Sequence, residues 1–454
     1  MGPRRRRWGT VEERPTLGGQ IYKQPGAGFV VDDPAALGAD HLRGRALIDA
    51  VAAPRITVLT STAALSAEDD TLIVSTGDGP VRRLPYRRLL VAAGAHDRPV
   101  VLPGWTLPGV ITAGGAQTLV KTQRVLPGRR IAFAGSGPLA LAFPAQLAGY
   151  GANVVLALEA GPAPRVGDLL RIAGAARGNT HILRDALAYR RGLRRHRVPL
   201  RYGRMVVRIE GDGHVERMVH AQLDRQWRPV PGTEETIPVD TVCLGYGFVP
   251  SIELLRLLGC AFTVDDALGG MVLRLDPWMR TSVPGVLGAG DGAGVEGVYV
   301  AVAQGQVAAI GAALDLGRIS EEAATERARP ARVAIGRKRR LAQALTGMYA
   351  VGAGVFELAD DETVVCRWEG VTMAEVRAVA DSTPDIMAIK SLTRAGMGLC
   401  QARNCQRHIA ETIARRGGTD VASVALATPR FPVPPVPFGA VAADTVPSKK
   451  FFTA

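Results

Sequence analysis

Within this 454-residue chain, Gly135-Ser136-Gly137-Pro138-Leu139-Ala140 is the stretch whose residue types and spacing point most directly to a ligand. It matches GxGxxG/A, in which the first glycine permits a tight turn and the second lets backbone N–H groups approach a pyrophosphate. The small final residue allows close helix packing, and the helix N-terminus adds a partial positive charge. Glu159 stands 19 residues beyond Ala140, where a carboxylate can accept from a ribose 2′-OH and repel a 2′-phosphate. The alternative is a glycine turn that holds nothing, or only an adenine nucleotide. Five cysteines, Cys243, Cys260, Cys366, Cys400 and Cys405, are odd in number and unevenly placed, which argues against a disulfide framework. Cys243 and Cys260 lie in or beside apolar runs and read as core, whereas the last three fall together. No Ser/His/Asp set or HExxH motif is visible.

These residues need elements to position them. Between Arg129 and Ala160 the sequence reads strand (RRIAFAG), glycine turn (SGP), helix (LALAFPAQLAGYGA) and strand (NVVLALEA), one βαβ unit. The runs VDTVCLGYG (239–247) and GVLGAGD (285–291) add strands, the second opening into the small-residue helix VYVAVAQGQVAAIGAAL. Alternation of this kind implies an α/β fold with a parallel sheet. Residues 316–345 turn charged and helical, a separate small domain follows, and the tail RFPVPPVPFGA reads as an extended segment laid over a surface.

Composition bounds the function classes. A chain of this length holds about three domains, and its 47% apolar content suffices for full cores. No stretch approaches the ~18 uncharged apolar residues of a membrane span. The start MGPRRRRW has no apolar region behind its arginines, so a cytoplasmic protein is expected. The net charge of +13 comes from 49 Arg and 6 Lys scattered along the chain, with local runs only at Arg4–Arg7 and Arg337–Arg340. Without a basic stripe interleaved with aromatics, this favours a basic docking face for an acidic partner subunit over nucleic-acid binding.

Three further motifs stand in fixed order around the βαβ unit: Glu12 with Gly18-Gly19-Gln20, LLVAAGAHDRP (89–99), and GVLGAGD ending in Asp291. With them the chain resembles the flavoproteins with two dinucleotide-binding domains, in which an NAD-type domain is inserted into an FAD domain. More narrowly, RPTLGGQIYKQ, GAHDRPVVLPGWTLPGVITAGGAQTLVK, AGSGPLAL, VCLGYGFVPS, TRAGMGLCQARNC and RFPVPPVPFGA resemble the α subunits of hydrogen cyanide synthase, opine oxidase and the proline and hydroxyproline dehydrogenases. The resemblance implies a Rossmann-like α/β fold with an FAD-binding domain in two parts, 1–125 and 236–315, around an inserted NAD-like domain, 126–235. A helical connector (316–355), a small helical domain (356–417) similar to bacterioferritin-associated ferredoxin with a 2Fe-2S centre, and a proline-rich tail (418–454) complete it. By the same resemblance Glu12 would take the adenosine ribose of FAD, with Gly18, Gly19 and Gln20 along its path. Gly94 would form the return turn, and Asp291 after Gly290 would accept from the ribityl chain. A carboxylate suits a diol and glycines suit close backbone approach.

Two departures from the family pattern matter. Its FAD domain opens with a strand and GxGxxG turn before the acidic residue that Glu12 matches, and here only MGPRRRRWGTV precedes it. The expectation is either a truncated gene or a start codon assigned too far downstream, in which case that strand and turn are encoded in frame upstream. In the small domain, relatives with a 2Fe-2S centre read CxC and then CxxxxC, where this chain reads Cys366-Arg367-Trp368 and Cys400-xxxx-Cys405. Four thiolates are normally required and an indole N–H cannot bind iron. A cluster on three cysteines completed by Glu369 or His408, a zinc ion, and a packed domain with relic cysteines are the alternatives.

The function expected is that of an FAD/NAD(P)-dependent oxidoreductase. By the resemblance it is the electron-transfer or nucleotide-binding α subunit of a heteromeric amino or imino acid dehydrogenase or oxidase, whose β subunit is an amine-oxidising FAD flavoprotein. The other readings are a degenerate scaffold that binds NAD or ATP at most in the Gly135 turn, and a free-standing NADH-dependent flavin reductase.

Overall fold

The computed structural model describes residues 8–26, 28–32, 37, 39–51, 56–176 and 180–442. The run Arg4–Arg7 and residues 443–454 of the tail lie outside them. The chain opens with β1 (Trp8–Val11), α1 (Ala39–Val51) and β2 (Ile56–Leu59), and the two strands pair in parallel with Trp8 opposite Ile56. An antiparallel meander follows, β3 (Thr62–Glu68), β4 (Thr71–Thr76) and β5 (Arg82–Pro85). Next come β6 (Leu89–Val91), β7 (Ala95–Asp97), β8 (Val110–Thr112) and α2 (Ala113–Lys121).

The βαβ unit forms as its pattern requires, with β9 (Ile131–Gly135), α3 (Leu139–Gly149) and β10 (Val154–Glu159). All five residues of β9 are buried, as expected of a parallel strand covered on both faces. Beneath the sheet Phe133 and Phe143 pack with ring centroids 5.4 Å apart. Helices α4 (Val166–Ala175) and α5 (Thr180–Arg195) lead to β11 (Leu200–Tyr202). An antiparallel sheet, β12 (Arg204–Glu210), β13 (Arg217–Gln222) and β14 (Glu235–Pro238), precedes β15 (Thr241–Gly245). The five-stranded parallel sheet has the order β11-β10-β9-β15-β8. It therefore draws in β8 and β15 from either side of residues 126–235.

The second half of the outer domain holds β16 (Phe248–Pro250), which pairs with β7, then α6 (Glu253–Leu257), β17 (Phe262–Asp265), β18 (Gly270–Leu273) and β19 (Val286–Gly288). β19 runs parallel to β6, and no strand among the described residues joins that pair to β1 and β2. Helix α7 (Val298–Asp315) is long and apolar enough to cross a membrane by length and composition, contrary to the expectation that no stretch comes close. Its residues Val300, Ala303 and Val307 are instead buried in a cluster with Ala331 and Ile335 of α8 (Glu321–Tyr349), so it serves here as a core helix. Of the basic run on α8, Arg339 pairs bidentately with Glu296 and Lys338 lies over the Tyr299 ring.

The small domain comprises β20 (Val364–Cys366), β21 (Val371–Thr372), α9 (Met373–Ser382), α10 (Ile386–Thr393) and α11 (Gln406–Gly417). One apolar cluster runs unbroken from Leu156, Val242 and Tyr246 of the nucleotide domain to Cys366, Ile389 and Ile413 here. Trp105 donates to the Val364 carbonyl at 2.6 Å across this boundary. The tail returns to the meander, where Val433 N donates to Leu65 O and Val81 N to Ala440 O, the latter in α12 (Phe438–Ala442).

Candidate functional site

At the Gly135 turn the structure gives the glycines separate tasks. A Cβ on Gly135 would stand 2.2 Å from the Gly245 carbonyl oxygen, so this glycine is there for the contact between β9 and β15. Gly137 adopts φ +88°, a left-handed conformation, and the space beside it is open. Ala140 is buried against the sheet, and Ser136 is buried beside it. Glu159, the expected ribose acceptor, faces the turn in this structure. Its Oε2 accepts from Gly137 N at 2.9 Å and its Oε1 from Gly161 N at 2.7 Å, with the residue only 2% exposed. Met348 and Tyr349 at the end of α8 pack beside Gly161, and Tyr349 also approaches Gly137. The carboxylate thus holds the turn from inside. The spacing rule that located Glu159 could not show which way it would face.

Burial raises Glu159 to about 7, against the pull of the backbone donors. An acid raised in the folded state lowers stability as pH rises from its unfolded value near 4.5 to about 7, because the folded chain keeps a proton that the unfolded chain has lost. The Glu159 contribution to stability should fall across that window by up to about 3 kcal/mol, read as the difference between the wild-type and Glu159→Gln slopes. Urea unfolding of both proteins at pH 5 and pH 8 checks this.

A second cradle lies where the outer domain's halves meet. Gly94 (φ +72°) and Gly290 (φ +73°) take left-handed conformations, and Gly292 packs so closely on the return turn that a Cβ would lie 3.0 Å from Gly94 N. Asp291 accepts from Glu296 N at 3.0 Å and Gly297 N at 2.8 Å, both at Oδ1, and burial raises its pKa. Its Oδ2 has no hydrogen bond among the described residues. Glu12 follows β1 and accepts from Arg14 N through Oε1 at 3.1 Å. Gly19 (φ +58°) has open space at its Cβ position, while Gln20 is exposed. Gly18 differs from its expected lining role, since a Cβ there would strike the Tyr22 carbonyl oxygen at 2.2 Å; it shapes the local turn. Carboxylates at Glu12 and Asp291, with glycines that allow close backbone approach, suit the sugar and ribityl hydroxyls of FAD.

Sequence reading missed Lys23, one of only six lysines. It is 5% exposed, and its Nζ donates to Gly114 O at 3.0 Å and Thr118 Oγ1 at 2.7 Å on α2. Asp97 caps the same helix, accepting from Gly114 N at 3.1 Å with each oxygen, and burial raises its pKa. Burial, then Arg14 and Lys121, lower Lys23 to about 8. Neighbouring His96 is held below its ordinary value by burial, between Glu253 and Arg403. A lysine inside an otherwise arginine-built chain was the available signal. Because its folded pKa is depressed, Lys23 makes stability rise between pH 8 and 10.5; Lys23→Met should flatten that rise in thermal scans.

Cys366 and Cys405 are buried and Cys400 is partly exposed. No group of three or more His, Cys, Asp or Glu side chains among the described residues is arranged to hold a metal. Each of the two candidate fourth ligands has one of its ligating atoms engaged, while His408 Nδ1 has no hydrogen-bond partner. His408 Nε2 accepts from Val101 N at 3.2 Å, and Glu369 is paired with Arg394 at 2.8 Å. Burial drives His408 down to about 3, so it stays neutral. Trp368 is 52% exposed, its Cβ against Gly398. The cysteine set as it stands does not fit a 2Fe-2S centre. Cys243 and Cys260 are core residues, raised in pKa by burial.

The fold is that of the FAD- and pyridine-nucleotide-dependent oxidoreductases. Residues 31–305 match the pyridine nucleotide-disulphide oxidoreductase family, to which this chain belongs, and residues 361–445 match the sarcosine oxidase A3 domain. Among relatives, hydrogen cyanide synthase subunit HcnB of Pseudomonas aeruginosa is 32% identical over 94% of this chain and 92% of its own length. An opine oxidase subunit of Rhizobium meliloti is 31% identical over 95% and 92%. Among solved structures, L-proline dehydrogenase from P. horikoshii superposes with a TM-score of 0.65 at 19% identity, covering 96% of this chain and 74% of that one, which shows the shared fold.

Proposed function

We propose that this chain is the α subunit of a heteromeric flavin-dependent amino or imino acid dehydrogenase or oxidase, binding FAD and passing electrons while a partner subunit oxidises the amine. The observation that carries this reading is co-linear likeness, through the nucleotide domains and the C-terminal domain alike, to chains that are themselves named as subunits. Glu12, Gly19, Gly94, Gly290 and Asp291 would hold the FAD, whose isoalloxazine supplies a two-electron acceptor when bound. The surface suits an acidic partner subunit. Val166, Leu169 and Leu170 of α4 are 74%, 55% and 69% exposed, and the same domain carries the exposed arginines 184, 190, 191, 194 and 195 on α5.

Co-expression with an amine-oxidising FAD flavoprotein encoded beside it should yield a co-purifying complex. Its dye-linked dehydrogenase activity should exceed that of either chain alone at least about tenfold, a loss of transition-state stabilisation of about 1.4 kcal/mol on separation. Separate elution, with NADH oxidation by this chain alone, would favour a free-standing flavin reductase. The scaffold reading gains from one observation, that Glu159 already engages the Gly137 N–H where a phosphate would bind. If Asp291→Ala abolishes flavin on this chain while the complex keeps full activity, the scaffold reading replaces the relay.

A further inference from the structure

We propose that Arg339 of the connector helix α8 is a positioning residue for FAD, acting through Glu296 to cancel the charge of the second carboxylate on the loop 290–297. This role rests on the assignment of Gly290 and Asp291 to the ribityl end of FAD. The loop joins β19, which ends at Gly288, to α7, which begins at Val298. Asp291 closes it from within, its Oδ1 accepting from Glu296 N and Gly297 N. Gln304, further along α7 and 3% exposed, ties its two ends together. Its Oε1 accepts from Gly290 N at 2.7 Å, and its Nε2 donates to Glu296 Oε2 at 2.9 Å. The Glu296 side chain is thereby fixed in direction and only 6% exposed. Arg339 meets it from α8 with both prongs of its fork, Nε to Oε1 at 2.6 Å and Nη2 to Oε2 at 2.8 Å.

A carboxylate held this far from water is costly unless it is both paired and hydrogen-bonded, and the bidentate guanidinium supplies both. The charge matters beyond the pair. Glu296 stands just ahead of α7, where an uncompensated anion would offset the partial positive charge that the helix N-terminus presents. It also shares the loop with Asp291, whose proton affinity burial raises and the Glu296 charge raises further. FAD brings a diphosphate to this loop, so a second free carboxylate there would repel the ligand that Asp291 is placed to hold. With Arg339 in place Asp291 carries the one unpaired charge on the loop. A mere brace between α7 and α8 is separable from this control of charge. Glu296→Gln breaks the ion pair yet removes the repelling group, so a brace predicts weaker FAD binding and charge control predicts binding that is unchanged or tighter.

FAD is titrated into the flavin-free full chain and followed by fluorescence quenching, with circular dichroism run on every variant. Arg339→Gln, which leaves Glu296 unpaired, should raise the FAD dissociation constant about tenfold or more. Arg339→Lys keeps the charge and loses the fork, and should stay within about threefold of wild type. Glu296→Gln should bind FAD at least as tightly as wild type, and the double variant Glu296→Gln/Arg339→Gln should return to within about threefold of it. Should Arg339→Gln fail to fold, Glu296→Gln decides the matter by itself. Weaker binding in Glu296→Gln, a double variant no better than Arg339→Gln, or unchanged affinity in Arg339→Gln would overturn the role of Arg339 while leaving the FAD site standing. A wild-type chain that takes up no FAD would instead overturn the FAD site, and this role with it.

Discussion

Trp368→Cys, reconstituted anaerobically with iron and sulfide, should take up two irons and two sulfides per chain and give a reversible signal in electron paramagnetic resonance on reduction. The unmodified chain should hold far less than two irons. The argument is ligand counting placed on geometry. Cys366, Cys400 and Cys405 supply three thiolates, one short of the four that such a centre normally takes, and the resemblance puts the fourth at position 368. In the structure the Cβ of Trp368 would lie 2.2 Å from a Cβ at Gly398, so a thiol at 368 enters the loop that carries Cys400 and Cys405. The indole is 52% exposed, so its loss leaves little enclosed cavity and costs less than the ~3 kcal/mol of a fully buried aromatic. A thermal melt run alongside separates a failed fold from a failed site. A full cluster in the unmodified protein would sink the argument, because some other residue would then complete the set.

The parts of this molecule that sequence alone made legible are those where local pattern and tertiary need coincide. The βαβ unit of β9, α3 and β10 announces itself because a buried parallel strand is a continuous apolar run and the turn after it requires glycine. The joint between domains was less legible. β8 and β15 belong to the nucleotide sheet, but their few residues carry no mark of which sheet they will join; hydrogen-bond partners far away in the chain decide that. The direction of a side chain was not legible at all. Spacing placed Glu159 at the end of β10, yet two backbone N–H groups draw its carboxylate inward. His408, weighed as a ligand from its proximity to Cys405 in sequence, is turned to accept from Val101, a residue 307 positions away. Lys23 was invisible for the same reason, since its partners sit on α2.

Gly135→Ala should cost about 3 kcal/mol or more, whereas Gly137→Ala, two residues on in the same motif, should cost only about 1–2 kcal/mol. Gly135 faces Gly245 across the β9–β15 pairing, and Ser136 N donates to the Gly245 carbonyl at 3.0 Å. A methyl group at 135 would meet that carbonyl oxygen at 2.2 Å and Phe133 Cζ at 2.6 Å. Neither can yield cheaply: the first is backbone in the middle of a sheet, and the Phe133 ring is fully buried against Phe143. Strand separation or displacement of the ring must follow. At Gly137 nothing lies closer than the Tyr349 Cβ at 4.0 Å, so the cost there is the left-handed backbone alone. Thermal unfolding should show the difference as a melting point lower by roughly 6–12 °C for the first variant and by less than half of that for the second. Nucleotide binding should rank them in the opposite sense among molecules that remain folded. A methyl group at 137 stands on the turn whose backbone N–H groups would meet a phosphate, so calorimetry with NAD(H) or ATP should lose its signal in Gly137→Ala while circular dichroism stays native. Equal destabilisation by the two substitutions would mean that the close contact at Gly245 relaxes freely, and unchanged nucleotide affinity in Gly137→Ala would place the ligand somewhere other than this turn.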